Sequence, residues 1–377
     1  MKDNTVRISI MGGSGSGKTS FMGGLVQSLI VNAQRYGTQG ESCNVMLRPE
    51  VSISYEGEDI FDDSNELTEY IVEGAKVANR LLDKYSISNR FKDATRTGGV
   101  DEYEFSLEIN GCEGCRMIIA DYPGEYISSF GEHIDEYPKL AERLAKCDVI
   151  IVMADGVEIS KNFGNTTNTR KSLGADSFNI LFPMIAARVQ NLNKKIDVII
   201  AITKADSPQI AKQFKQDNFE DISEMLASSV YSNIHATCEN NGWNFGIIPV
   251  SCVGENNVVT QSIKNEDGSV THKDEVAQDA DPKQENIDIA ILYSLYNHIE
   301  DMIEYLESVM ACLTRETKPF SHPAGYKKAE WERKIAECQS KIDRLKSCHA
   351  VLKKHTFSNL NGVIHQRLPK SALPTMI

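Results

Sequence analysis

No apolar run in the 377-residue chain approaches the roughly 20 residues a membrane-spanning helix needs; the longest, such as VIIVMA at 149–154, is far shorter. An excess of basic charge is also missing: Lys plus Arg is 40 against 53 for Asp plus Glu, a formal net charge of −13. The summed field repels phosphate, which argues against a duplex-wide nucleic-acid footprint or attraction to an anionic membrane. Any phosphate binding must be local. The opening MKDNTVRISIMGG lacks the basic segment and longer apolar stretch of a secretory signal, so export is not expected. Nine cysteines, an odd number at scattered spacings, do not read as a disulfide framework and suit reduced thiols in a cytoplasm. Cys112 and Cys115 make one C-x-x-C without a second Cys/His pair at finger spacing, which favours a Gly-rich hairpin turn over zinc. What is present is an ordinary globular composition, 41% hydrophobic and 25% charged.

Length suggests two domains or one large domain with insertions. Over the first 253 residues, strand patterns alternate with helix patterns. Val6 to Met11 reads as a strand and Thr19 to about Arg35 as a helix opening at a Gly-rich turn. EYEFSLEI at 102–109 alternates, and Arg116 to Ala120 follows after only six residues, too few for a parallel crossover, so these two strands must pair antiparallel. VIIVMA (149–154), DVIIAI (197–202) and GIIPVS (246–251) are near-continuous apolar runs, as in strands covered on both faces. Helices are expected at about 137–146, 176–193 and 217–240.

Residues 37–100 form an insertion with an expected helix through Leu67, Ile71, Ala75, Ala78, Leu82 and Tyr85. Residues 254–285 carry eight acids against three lysines and the turn signal NEDGS, and read as a mobile hairpin or a linker. Beyond them, Leu292, Leu295, Ile299, Met302, Leu306, Val309 and Leu313 keep 3,4 spacing, as do Trp331, Ile335, Cys338, Ile342, Leu345, His349 and Leu352. Two heptad helices joined by the breaker-rich TRETKPFSHPAG predict an antiparallel helical hairpin, the first half of which serves as the last helix on the sheet. The expected divisions are 1–253, 254–285, 286–355 and a tail at 356–377.

Gly12-Gly13-Ser14-Gly15-Ser16-Gly17-Lys18-Thr19 matches G-x-x-x-x-G-K-S/T after a strand and at the start of a helix. Its glycines let backbone N–H groups turn onto phosphate oxygens, Lys18 reaches the β- and γ-phosphates, and Thr19 offers a hydroxyl to Mg²⁺. The candidate phosphate-binding set is Gly13, Ser14, Gly15, Ser16, Gly17, Lys18, Thr19 and Ser20. Asp121-Tyr122-Pro123-Gly124 follows the strand RMIIA; there a carboxylate can hold a metal-bound water and the Gly124 N–H can sense a γ-phosphate. Thr203-Lys204-Ala205-Asp206 follows DVIIAI, and Ser251-Cys252 follows GIIPV.

This ordered set resembles the P-loop GTPases, in which N/T-K-x-D reads guanine, over residues 6–253; the antiparallel hairpin points to the Ras-like, translation-factor-related branch. DYPGE and the large insertion are similar to the bacterial tandem-type, or double-GTPase, families associated with conflict systems. The resemblance implies that Asp206 accepts from both N1–H and N2–H₂ of guanine, a donor pair adenine lacks. It also implies that Lys204 packs along the base and that the Ser251-Cys252 turn supplies backbone N–H near O6. Where Ras-like enzymes carry a water-positioning Gln, this chain has Glu125, either a water-orienting group or a solvated switch residue. The switch threonine, a metal ligand beside Thr19 and Asp121, falls on Thr95 or Thr97, with Thr95 preferred. Arg170 and Lys171, in the polar stretch NTTNTRKSLG, read as a solvated loop rather than a finger in cis. Asp155 reads as a turn residue, and His133 and His298 lack ligand-spaced partners.

The expected fold is α/β: a Ras-like P-loop GTPase fold, a mostly parallel sheet with one antiparallel edge strand, and a C-terminal helical hairpin. The expected activity is a cytoplasmic switch that binds GTP and GDP. It would hydrolyse GTP with Mg²⁺, slowly in isolation, with Lys18, Gly124 and Glu125 as catalytic groups. The hairpin would serve a protein partner or a second copy, without nucleic acid. A scaffold that binds GTP with little turnover is the alternative; an ATPase is disfavoured by TKAD.

Overall fold

The computed structural model describes residues 5–25, 34–36, 43–49, 101–109, 112–124, 127, 134–190, 194–208, 210, 219–254, 257–264, 270–276, 284–316 and 328–359. Eight strands form its main sheet: β1 (Thr5–Met11), β2 (Gln34–Tyr36), β3 (Cys43–Pro49), β4 (Asp101–Ile109), β5 (Cys112–Asp121), β6 (Val149–Asp155), β7 (Asp197–Thr203) and β8 (Phe245–Pro249). Their spatial order is β2-β3-β4-β5-β1-β6-β7-β8. The five strands from β5 to β8 in that order run parallel, whereas β4, β3 and β2 continue the sheet antiparallel.

The antiparallel edge is therefore deeper than a single strand. The chain leaving α1 (Lys18–Leu25) returns as β2 and β3, so the helix expected to reach Arg35 gives way to a strand at Gln34–Tyr36. Strand pairing across β3 and β4 is a long-range feature that local apolar spacing does not encode. The β4–β5 connection is shorter than the six residues expected, because β5 already begins at Cys112. The expected helix between Leu67 and Tyr85 lies outside the described residues.

Side chains alternate between the two faces of the parallel strands, and each face has its own core. On β6, Val149, Ile151 and Met153 join Phe21, Met22 and Leu25 of α1. Ile150, Val152 and Ala154 face Tyr137, Leu140 and Leu144 of α2 (Tyr137–Leu144). Consecutive burial along DVIIAIT of β7 follows from cover on both sides. After β6 come α3 (Gly156–Lys161), α4 (Thr166–Ser172) and α5 (Ala175–Val189). NTTNTRKSLG is thus largely helical rather than a loop, opened by Asn165, whose side chain caps the Asn168 N–H.

The expected helix at 217–240 is divided into α6 (Phe219–Met225), a π turn (Leu226–Val230) and α7 (Ser232–Asn241). Asn179 of α5 supports the break: its Nδ2 donates to Val230 O at 2.8 Å and its Oδ1 accepts the Asn233 N–H at 3.1 Å. Residues 258–264 and 270–276 pair antiparallel as β9 and β10. The chain then enters α8 (Ile287–Glu316) and returns as α9 (Lys328–Asn359). Ile287 to Leu306 of α8 share the α1-side core with Cys338, Ile342, Leu345, Cys348 and Leu352 of α9. Past Leu306 burial fades, with Val309 and Leu313 only half-buried.

Candidate functional site

Parallel strands deliver their C-terminal ends to one edge of the sheet, where α/β folds bind ligands. β1 ends at Met11 and passes into Gly12–Gly17; β5 ends in Asp121; β6 ends in Asp155; β7 ends in Thr203; Ser251 follows β8. Gly15 and Gly17 have φ of +78° and +91°, a region open to glycine without Cβ strain. An added Cβ on Gly12 would lie 2.8 Å from Met153 Cβ, so β6 packs directly beneath the loop.

Lys18, 9% exposed, donates from Nζ to Gly12 O at 2.7 Å and Gly13 O at 3.1 Å. Burial pushes its ammonium pKa down, and the nearby Asp121 carboxylate partly opposes that shift. Asp121 is 1% exposed. Gly124 brings its turn hard against the loop: a Cβ there would sit 2.7 Å from Ser14 N and 3.0 Å from Lys18 Nζ. Ser14 and Gly15 are exposed, Ser16 is buried, and Gly13, Gly17, Thr19 and Ser20 are half-buried. Glu125, Thr95 and Thr97 lie outside the described residues.

The second half of the site is joined to this loop. Thr203 Oγ1 donates to Ser16 O at 2.7 Å, with Ala154 O a longer second acceptor at 3.3 Å. Lys204 takes a left-handed φ of +56°, which costs a non-glycine residue about 1–2 kcal/mol. Asp206 is 5% exposed, and its Oδ2 accepts Ser251 Oγ at 2.6 Å, Val253 N–H at 3.0 Å and Gly254 N–H at 3.2 Å. Among the described residues nothing donates to Oδ1. Ser251 thus serves Asp206 through its hydroxyl, while the Cys252 side chain is buried in the α1-side core. The Ser251 backbone also exchanges hydrogen bonds with Glu285, and Asn286 Nδ2 donates to Pro249 O, tying this loop to the start of α8.

Asp155 is more than a turn residue. Its side chain caps α3 and accepts Lys204 Nζ at 2.5 Å. Its only sequence signal is an Asp-Gly closing a buried strand, at the same strand-end position as the other motifs. Arg170 is ion-paired with Asp176.

Residues 78–240 match the family model Double-GTPase 2. No curated protein matches the sequence. Among solved structures, the chain is similar to the signal recognition particle receptor SRb-GTP/SRX complex from Chaetomium thermophilum. That match has 12% identity and a TM-score of 0.34, and covers 66% of this chain and 91% of that one. It is also similar to a GDP-bound mutant FeoB G-domain from S. thermophilus, at 10% identity and a TM-score of 0.27, covering 96% of this chain and 100% of that one. The matched segment takes in DYPG and TKAD and spans less than half of the chain, which over those residues is similar to the double-GTPase family.

Proposed function

We propose that the chain binds GTP and GDP along this sheet edge and hydrolyses GTP to GDP and phosphate. One observation carries the guanine reading: the buried Asp206 carboxylate is fixed through Oδ2 by Ser251, Val253 and Gly254, while Oδ1 receives no donor from the described residues. A buried acceptor held in this way selects the base that donates to it and disfavours adenine. Lys204 would flank the base, and the amides of Gly13 to Ser20 would receive the phosphates.

Lys18 would exchange its two loop carbonyls for phosphate oxygens, where its charge offsets what develops in the transition state. Gly124, already packed against the loop, would sense the γ-phosphate through its N–H. Thr19 and Asp121 fit Mg²⁺ that arrives with a nucleotide: one hydroxyl and one carboxylate leave room for phosphate oxygens and waters. Among the described residues no cluster of three His, Cys, Asp or Glu could hold a metal by itself. Bound with the nucleotide, the ion would neutralise phosphate charge; Thr95 is the proposed third protein ligand. Glu125 is proposed to orient water. Arg170 is already engaged by Asp176, which supports slow turnover without a partner-supplied arginine.

The same reading makes residues 1–253 the GTPase domain, 254–285 a polar insertion and 286–355 the hairpin that receives a protein partner or a second copy. No helix among the described residues is long and apolar enough to cross a membrane.

Single-turnover hydrolysis of GTP by the purified chain tests the enzymatic part. Turnover above the uncatalysed rate, abolished together with binding in Lys18→Ala and altered in rate alone in Glu125→Ala, is the expected result. Tight GTP binding with no turnover would leave a nucleotide-dependent scaffold instead.

A further inference from the structure

We propose that Asp155 is a positioning residue for the base site, holding Lys204 in place before a nucleotide arrives. The proposal rests on the guanine reading of TKAD. β6 and β7 run parallel with Asp155 opposite Thr203, so the last residue of one strand stands beside the residue preceding Lys204 on the other. The two carboxylate oxygens of Asp155 have separate tasks. Oδ1 accepts the Val157 N–H at 2.9 Å and the Glu158 N–H at 3.4 Å, capping α3, while Oδ2 accepts Lys204 Nζ at 2.5 Å. The cap fixes the carboxylate, and the carboxylate fixes the ammonium.

Close backbone approach makes this possible. A Cβ on Gly156 would lie 2.5 Å from Thr203 O, so only glycine lets α3 begin this near the end of β7. Asp155 itself is largely covered, with 13% of its side chain exposed, whereas that of Lys204 is 42% exposed. The ammonium end of the lysine is held while much of the side chain stays accessible, as a group that is to lie against a planar base requires. A free lysine would lose rotamer freedom when the base ordered it; one already clamped loses less, and the difference appears as affinity for the base part of the ligand.

The test uses the full chain with two probes, a fluorescent GDP analogue and inorganic pyrophosphate, the second of which engages only the phosphate loop. Asp155→Asn keeps a good helix cap but removes the charge facing Lys204. Lys204→Met keeps the stem and removes the ammonium. Each single variant is expected to weaken the GDP analogue about tenfold, the scale of ordering one long side chain. Pyrophosphate affinity and the nucleotide-free unfolding midpoint should stay unchanged, and the double variant should lose no more than either single one. Equal losses for both probes would mean a merely structural role, and additive losses would mean independent ones; either overturns the proposal, as does wild-type affinity in either single variant. If the wild-type chain binds ADP as well as GDP, the guanine reading itself fails and the proposal falls with it.

Discussion

Gly124 and Gly164 separate two kinds of glycine requirement. At Gly124 the obstacle is space: a Cβ would press on Ser14 N, Gly13 C and Lys18 Nζ, all within 3.0 Å, and two of these belong to the phosphate-loop backbone. Gly124→Ala must therefore shift the turn or the loop. It is expected to weaken GTP binding by at least about tenfold, equivalent to 1.4 kcal/mol. At Gly164 the surroundings are open but φ is +85°, so Gly164→Ala should cost about 1–2 kcal/mol of stability and leave GTP affinity unchanged. Titration calorimetry and urea unfolding read the two effects apart. The phosphate loop, DYPG and TKAD were legible in the sequence because each is a local pattern with its own chemistry. Asp155 was not, since its partner Lys204 is 49 residues away and only the β6–β7 register brings the two together.

In the α8–α9 pair, heptad spacing made the inner faces legible, because a 3,4 repeat marks the buried stripe without knowledge of the partner. Ile342 and Leu345 are 1% and 6% exposed, and substitution of either by Ala should cost about 2–5 kcal/mol in urea unfolding. His349 was read only as one more position of the stripe. Its ring stacks on Tyr296 at 4.3 Å, and burial lowers its pKa, with Lys353 acting the same way and Glu300 opposing both. Between the depressed folded pKa and the unfolded value of about 6.5, the unfolded chain binds more protons, so stability must fall as pH drops through that window. Above it the contribution is level. Chemical unfolding between pH 7.5 and 5 should show this loss, and His349→Phe should flatten it; an unchanged slope would mean that His349 does not carry the effect. α4 and the divided α6–α7 segment were less legible, because an Asn cap and the cross-element bonds of Asn179 outweigh local polarity and apolar spacing there.

Across the whole molecule, the α/β class and the parallel half of the sheet followed from apolar runs that only two-sided cover explains. The antiparallel extension through β2 and β3 did not, since pairing across an insertion leaves no local signal. The loop that holds Asp206 is bonded to Glu285 and Asn286 at the entrance of α8, so ordering by a nucleotide should stabilise the fold beyond the site. A ligand at 100 times its Kd adds about 2.7 kcal/mol to unfolding free energy, and GDP should raise the melting temperature where ADP does not. For an acidic chain with a net charge of −13, the proposed binding requires the site to override the chain's own field locally and to hold a phosphate ligand beside a guanine-reading carboxylate. The most direct measurement is competition by GDP, ADP and XDP for a fluorescent GDP analogue on the wild-type chain and on Asp206→Asn. GDP should displace the analogue from the wild type at far lower concentration than ADP, and Asp206→Asn should shift the preference toward XDP; equal displacement by ADP and GDP from the wild type would mean that Asp206 does not read guanine.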